Sequence, residues 1–175
     1  KRKSHHPGLV ARVLDARGVP VTLHRTYLSI DGFKAPVSID QVKKQMTGVR
    51  GLNGDSIRLN IPFGSSRVLI VCEGIETGLA LVAATGNRHE VWALLDAGNL
   101  AKAKIPRERF DMVVIAADRD PMNPKHGWRV GEHYAQVLED RLKSEGFGTK
   151  VRVPEDEGKD FCDVWNDKYR LKLVA

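Results

Sequence analysis

The sequence contains few cysteines and no long apolar segment, and both absences exclude whole classes of protein. Its 175 residues include two cysteines, Cys72 and Cys162, too few for a structural zinc site or a disulfide framework. We therefore expect reduced thiols and a cytoplasmic protein. No stretch of about 18 uncharged apolar residues is present, so neither a transmembrane helix nor a membrane partner is expected. The N-terminal residues also lack the apolar core of a secretory signal.

Charge is distributed unevenly along the chain. Residues 1–67 hold 12 lysines and arginines against 4 acidic residues, a net charge of +8. Residues 68–175 hold 16 basic and 18 acidic residues, a net charge of −2, and the two parts sum to the overall +6. A basic front segment attracts polyanions such as nucleic acid, whereas an acidic segment gathers carboxylates around a cation. The imbalance alone leaves a merely solubilising surface equally open.

The apolar pattern of the front segment predicts a small antiparallel sheet. Residues 9–15 and 21–30 have the pattern of strands, with apolar and polar residues alternating over 9–15, and a glycine-containing turn signal follows each run. Residues 33–54 are polar and glycine-rich, which predicts a loop or a short helix near 42–46. A further short strand is expected at 56–61.

The rest of the chain alternates strand and helix patterns. Apolar runs such as 67–72 and 111–117 are typical of strands buried on both faces. The expected strands are 67–72, 90–95, 111–117 and 149–153, and the expected helices are 75–85, 99–104, 127–145 and 160–170. This alternation predicts an α/β domain with a mostly parallel sheet. We therefore divide the chain into a basic β-rich subdomain, 1–66, and an α/β domain, 67–175.

Acidic residues follow three of the predicted strands. The pairs are Glu73 and Glu76, Asp118 and Asp120, and Asp160 and Asp163. Parallel sheets bind ligands at the carboxyl ends of their strands, so these side chains are expected to converge if the strands are neighbours. Such a cluster repels itself unless a cation neutralises it, and Mg²⁺ or Mn²⁺ prefers oxygen ligands. A single acidic pair is more often a helix cap, whereas three sets favour a metal site.

The same segments resemble the Toprim domain, a Rossmann-like, metal-binding fold of bacterial primases, type IA and II topoisomerases and OLD-family nucleases. Residues 71–78 (VCEGIETG) and 117–120 (ADRD) are similar to its first two acidic motifs, and 158–165 (GKDFCDVW) resembles the third. Residues 23–36 (LHRTYLSIDGFKAP) resemble the segment that precedes Toprim in primase-like proteins of phages, plasmids and integrative elements. The resemblance extends from about residue 7 to residue 165.

The resemblance implies a primase-like nucleotidyltransferase that makes short primers on single-stranded DNA from nucleoside triphosphates. It implies Glu73 as the general acid or base, and Gly74 as a point of close backbone approach to metal or phosphate. It implies two Mg²⁺ or Mn²⁺ ions, with the ligands Glu73, Asp118, Asp120, Asp160 and Asp163. The chain departs from the pattern at Thr77, where cellular primases often carry Asp, and at Cys162, where mobile-element relatives often carry Asn.

The basic front segment is expected to contact template, primer or incoming nucleotide. The candidate residues are Arg25, Lys34, Lys43, Lys44 and Arg50. Phosphate contacts of this kind make binding fall steeply with salt. A helicase, or a helicase domain elsewhere in the parent protein, is a further partner that the resemblance implies.

Two other functions remain open at this point. A Toprim nuclease, such as a DNA-cleaving toxin, would use the same acidic motifs, and only the basic front segment favours the primase. A nucleic-acid-binding module without activity would retain the fold alone, and the presence of Glu73, Asp118 and Asp120 argues against it.

Overall fold

The computed structural model describes residues 5–170, which form two sheets flanked by helices. The first part consists of β1 (Gly8–Leu14), β2 (Pro20–Tyr27), α1 (Ile39–Val42) and β3 (Lys43–Gln45). The second part consists of β4 (Ile57–Arg58), β5 (Val68–Cys72), α2 (Ile75–Ala84), β6 (Glu90–Ala93), α3 (Ala97–Leu100), β7 (Met112–Ala116), α4 (Val130–Ser144), β8 (Gly148–Arg152) and α5 (Phe161–Arg170). In this described part of the chain, no helix has the length and apolar character needed to cross a membrane.

The front segment forms the expected antiparallel sheet, in the order β1–β2–β3. Side chains alternate across it, so Val13 and His24 are buried on the inner face while Val10 and Leu23 are exposed on the outer face. The turn between β1 and β2 is closed by Asp15, whose carboxylate accepts hydrogen bonds from the backbone N–H groups that follow it.

Strand β3 corrects one expectation from the sequence. The loop or helix predicted near 42–46 is instead the end of α1 followed by a strand that pairs with β2, with Lys44 opposite Arg25. The segment Lys43–Gln45 has no apolar residue and hence no strand pattern. It is a strand because it satisfies the free backbone groups along the edge of β2. As a consequence, Lys43 and Lys44 lie on opposite faces of the sheet.

The second sheet is five-stranded and mostly parallel, in the order β4–β6–β5–β7–β8. The strands β6, β5, β7 and β8 run parallel, and β4 is antiparallel to β6. Alternate residues of β5 face opposite sides: Val71 packs in one core with Leu138 of α4, and Ile70 packs in the other with Ile75 of α2. The predicted α/β architecture is therefore confirmed.

The two sheets share a hydrophobic core. Strand β4 falls within residues 1–66, yet it pairs with β6 of the second sheet. A bridge joins Leu14 at the end of β1 to Ser56, and Val13 packs against Ile57 and Ile75. The inner face of the small sheet is thereby fixed against the α2 side of the large one.

Candidate active site

Acidic side chains from separate parts of the chain meet at the carboxyl edge of the parallel sheet. Glu73 follows β5, Asp118 follows β7, and the segment after β8 contributes Asp160 and Asp163. Because β5, β7 and β8 are consecutive in the sheet, all four residues line one cavity of about 770 Å³. Gly74 lines the same cavity. The structure thus brings together most of the acidic residues that the strand-end rule selected.

The protein neutralises these carboxylates only in part, since the charge of Lys43 is outweighed at Glu73 by burial and by neighbouring acids. Burial, followed by the charges of Asp118, Asp120 and Asp96, raises the pKa of Glu73 to about 7. Burial, followed by the charges of Asp160, Asp120 and Asp163, raises the pKa of Asp118 to about 6. The Oδ1 atom of Asp118 is buried and has no hydrogen-bond partner among the described residues. The cavity is therefore an anionic site whose negative charge is not fully balanced by positive side chains.

Asp120 is oriented differently from the other predicted ligands. Its Oδ2 accepts a 2.6 Å hydrogen bond from the backbone N–H of Gly131, at the start of α4, and the residue does not line the cavity. Only glycine lets the start of α4 pack this closely on the segment after β7, because a Cβ at Gly131 would lie 2.6 Å from the backbone oxygen of Asp118. The charge of Asp120 still reaches Glu73 and Asp118, as their raised pKa values indicate.

The third acidic motif is organised by the start of α5. The Asp163 N–H donates to Asp160 Oδ1 at 2.9 Å, and the Asp160 N–H donates to Asp163 Oδ2 at 3.2 Å, which is the reciprocal pattern of a capping box. The Thr77 hydroxyl donates to Asp160 Oδ2 at 2.9 Å and ties this motif to α2. Cys162, in the position of the usual Asn, lines the cavity without taking part in the capping bonds.

Two of the predicted basic residues face the acidic cavity. Lys34 and Lys43 line it together with Glu73 and Asp118. Lys43 Nζ lies 2.7 Å from Glu76 Oε1, and this ion pair joins β3 to α2. Positive side chains from the front segment are thus held opposite the carboxylates of the sheet.

The other three predicted basic residues lie elsewhere. Arg25 and Lys44 are cross-strand partners on the outer face of the small sheet, where Arg25 lies 4.2 Å over the ring of Tyr27 and hydrogen-bonds to its hydroxyl. Arg50 forms two hydrogen bonds with the buried Asp55, at 2.6 and 2.7 Å. A phosphate contact at Arg50 would have to displace this ion pair.

The sequence reasoning missed two residues at the same edge. Asp96 follows β6, raises the pKa of Glu73 and caps α3 by accepting a 2.7 Å hydrogen bond from the Asn99 N–H. Leu95 lines the cavity with a φ of +77°, a conformation that costs energy for a residue other than glycine, and its N–H donates to the Glu73 carbonyl. Asp96 could have been found, since it also follows a predicted strand.

The donor set fits a hard divalent cation in its chemistry. Among residues 5–170, no group of three His, Cys, Asp or Glu side chains is close enough as it stands to hold a metal ion. The site nevertheless offers carboxylate oxygens, two raised pKa values and one orphaned buried oxygen, and a hard cation would satisfy all three. Binding would require the carboxylates to draw together.

Comparisons with known families match both parts of the chain. A family model described as "Toprim domain" matches residues 68–170. A second, described as "Domain of unknown function (DUF7146)", matches residues 1–58. No curated protein matches the chain.

Several solved structures are similar in fold over 95% of this chain. A DNA primase domain from Pseudomonas aeruginosa has a TM-score of 0.55 and 13% identity, with 50% of that chain covered. The primase fragment of the bacteriophage T7 primase-helicase has a TM-score of 0.57 and 15% identity, with 60% covered. A DnaG primase catalytic domain bound to single-stranded DNA has a TM-score of 0.56 and 13% identity, with 52% covered. The chain therefore spans 50–60% of these structures.

Proposed function

Because the chain belongs to the Toprim domain family, we propose that it is the catalytic core of a primase-like nucleotidyltransferase that makes short primers on single-stranded DNA. One observation carries this proposal: Glu73, Asp118 and Asp160 share a cavity with Lys34 and Lys43. Carboxylates suited to a cation face lysines suited to phosphates. A nucleoside triphosphate that arrives with its divalent cation carries the complementary charges, because its cation suits the carboxylates and its phosphates suit the lysines.

The acidic residues hold the cation in this proposal. Toprim domains generally bind Mg²⁺, and we propose two Mg²⁺ or Mn²⁺ ions. Glu73, Asp118 and Asp120 would hold them, with Asp160 and Asp163 as ligands of the second ion or as acids that orient its ligands. Such cations would supply positive charge to the transferred phosphate and the leaving pyrophosphate. Oδ1 of Asp120 accepts no hydrogen bond from a described residue and would be available to a cation, whereas Oδ2 accepts the hydrogen bond from the Gly131 N–H.

Glu73 is the general acid or base. In the metal-free site its pKa is about 7, and a bound cation would lower it, which would leave Glu73 as a carboxylate able to accept the proton of a 3′-hydroxyl. Lys34 and Lys43 contact the phosphates of the incoming nucleotide, and Glu76 keeps Lys43 in place through its ion pair. Gly74 lets the backbone approach the phosphates.

The front segment guides the template in this proposal. Arg25 and Lys44 contact the DNA backbone from the outer face of the small sheet. The division into 1–66 and 67–175 is supported by the two family models, which leave residues 59–67 between them. A helicase partner and an origin in a phage, plasmid or integrative element belong to the same proposal. Likeness to the T7 primase-helicase fragment supports the helicase.

The test is to incubate the chain with single-stranded DNA, labelled ribo- or deoxynucleoside triphosphates and Mn²⁺, and to separate the products by size. We expect new short oligomers with wild type and a loss of at least about 100-fold with Glu73→Gln, the scale of general acid–base catalysis. Glu108→Gln, the same change at an exposed residue outside the cavity, should leave synthesis unchanged.

Other products would contradict the primase. A shortened template whose cleavage depends on Glu73 would assign the site to a nuclease. Salt-sensitive retention of DNA with no new or shortened strands would assign the chain to a binding module. Oligomer synthesis that persists in Glu73→Gln would remove Glu73 from the chemistry.

A further inference from the structure

A second charged cavity lies at the opposite, amino end of the parallel sheet. It has a volume of about 980 Å³ and includes side chains from β1, β4 and the segments that precede β5 and β7. Its four arginines, which define what we call the arginine cleft, are Arg12, Arg58, Arg67 and Arg109. Strand β5 has five residues, which separates this end from the acidic cavity by about 16 Å. The two cavities share no lining residue.

Two of these arginines have no carboxylate partner among the described residues. Arg67 is paired with Asp111 and Arg109 with Glu90, each at 2.5 Å. Arg12 and Arg58 form no ion pair with any described residue. Arg58 Nη2 donates to two backbone carbonyls of the β1–β2 turn, and its Nε is buried with no partner among those residues. In the described part of the chain, Glu90 is the one acidic residue that lines the cleft, so its four arginines leave it with a net positive charge, the reverse of the acidic cavity.

The cleft continues onto the outer face of the small sheet. Arg12 is opposite Leu23 and Arg25 is opposite Val10, so the two arginines are diagonal neighbours on one face. Arg25 is in turn opposite Lys44. Together these residues form a basic stripe across four strands, β3, β2, β1 and β4. An extended polyanion matches such a stripe better than a compact phosphate does.

The rim of the cleft also presents an exposed aromatic side chain. Phe63 is 76% exposed, and the residues on either side of it, Pro62 and Gly64, line the cleft. An exposed ring next to arginines suits a single strand, whose unpaired bases stack on aromatic side chains. Neither a duplex nor a free phosphate would make use of this ring.

We propose that the arginine cleft is a second binding site for single-stranded nucleic acid, in which Arg12 and Arg58 bind backbone phosphates and Phe63 stacks on a base. This inference rests on the proposed function only in that both involve a nucleic-acid strand. The cleft would hold part of that strand about 16 Å from the carboxylates. Arginine suits the role because its planar guanidinium binds phosphate oxygens in pairs.

The test measures binding of a fluorescent oligothymidine to the full chain by anisotropy, in EDTA, over a series of salt concentrations. Without divalent cations the acidic cavity can do no chemistry, so the result is independent of primer synthesis. For Arg12→Gln we expect a weaker affinity and a salt slope shallower by about 0.7, the loss of one phosphate contact on a single strand. For Phe63→Ala we expect a loss of about fivefold to 100-fold at an unchanged salt slope, the scale of one stacked base.

The matched control is Lys150→Gln, which removes one exposed positive charge from β8 at the far edge of the large sheet and should bind as wild type does. Wild-type affinity in both Arg12→Gln and Phe63→Ala would overturn the proposal, as would failure of the wild type to bind the strand. Competition by millimolar inorganic phosphate combined with normal binding by Phe63→Ala would also overturn it, in favour of a simple anion site. Loss of primer synthesis alone would not contradict the binding proposed for the arginine cleft.

Discussion

Two pairs of acidic residues, one buried and one half-buried, have opposite surroundings in this fold. Asp55 and Glu90 are each held by an arginine, and both lie away from the acidic cavity. Glu73 and Asp118 are surrounded by other carboxylates. Burial alone would raise the pKa of Asp55, but hydrogen bonds from Arg50 and from the Asn53 N–H outweigh it and lower that pKa. For Glu73 and Asp118 burial and repulsion act together, and the pKa rises.

The comparison separates acids that stabilise the fold from acids that lower its stability. A paired carboxylate contributes to stability, and its charge is already balanced by an arginine. An unpaired one destabilises the metal-free protein and is retained where a cation or a proton is to be bound. The same chemical substitution should therefore have effects of opposite sign at the two kinds of position.

The largest effect is expected at Asp55. Its side chain is 2% exposed and accepts hydrogen bonds from both terminal nitrogens of Arg50 and from the Asn53 N–H. Asp55→Asn removes the charge and leaves donors without a full partner. We expect the free energy of unfolding to fall by about 2–4 kcal/mol, measured by urea denaturation at pH 7.

The control for Asp55 is Asp140→Asn, the same change at an exposed residue of α4, which should alter stability by less than about 0.5 kcal/mol. Equal stability of Asp55→Asn and wild type would remove the contrast between paired and unpaired acids. Arg50→Gln should reproduce much of the loss, since it breaks the same ion pair.

The second effect is a gain in stability for Asp118→Asn without metal. The pKa of Asp118 is about 6 in the fold, against an ordinary value of 3.8, so the folded state binds the proton more tightly than the unfolded state. The contribution of the Asp118 carboxyl group to the free energy of unfolding is therefore complete below about pH 4 and is lost as the pH rises through 6. We expect Asp118→Asn to exceed wild type by about 1–2 kcal/mol at pH 8, reduced for partial exposure, and to match it at pH 4.

Added metal should reverse this order. Mn²⁺ at pH 8 is expected to raise the unfolding temperature of wild type more than that of Asp118→Asn, because a ligand that binds only the folded state stabilises it. If Asp118→Asn is less stable than wild type at pH 8 without metal, the Asp118 carboxylate has a stabilising partner in the fold. Identical responses to Mn²⁺ would show that it is not a ligand.

Much of the fold is predictable from local pattern, because its central elements carry strong periodic signals. Strand β5 and helices α2 and α4 lie within three residues of the predicted bounds, since continuous apolar runs and helical spacing mark them. Strand β3 was missed because no local pattern encodes it. Its formation depends on the free edge of β2, a tertiary feature, and the opposite directions of Lys43 and Lys44 depend on it in turn.

The site was predictable to the extent that it follows a rule about strand ends. Glu73, Asp118 and Asp160 obey that rule, as does the overlooked Asp96. The ion pair of Arg50 with Asp55 was not predictable, because the four residues between them are irregular backbone and no pattern specifies that the two face each other. The arginine cleft was not predictable either, since its members come from positions 12, 58, 67 and 109.

The smallest effect is expected at Thr77, which holds one of the acids that line the cavity. Thr77 is buried without being charged, and its hydroxyl donates a 2.9 Å hydrogen bond to Asp160 Oδ2 in the acidic cavity. Thr77→Val keeps the shape of the side chain and removes the donor. We expect a loss of about 1 kcal/mol in unfolding free energy and a several-fold higher Mn²⁺ concentration for half-maximal activity, because Asp160 is no longer oriented.

Thr77→Ser, which retains the hydroxyl, should restore the wild-type Mn²⁺ dependence of activity. Thr85→Val is the matched control, since the Thr85 hydroxyl bonds only to carbonyls of its own helix. If Thr77→Val lowers stability but leaves the Mn²⁺ dependence unchanged, Thr77 is a packing residue and the third acidic motif is positioned by its capping box alone.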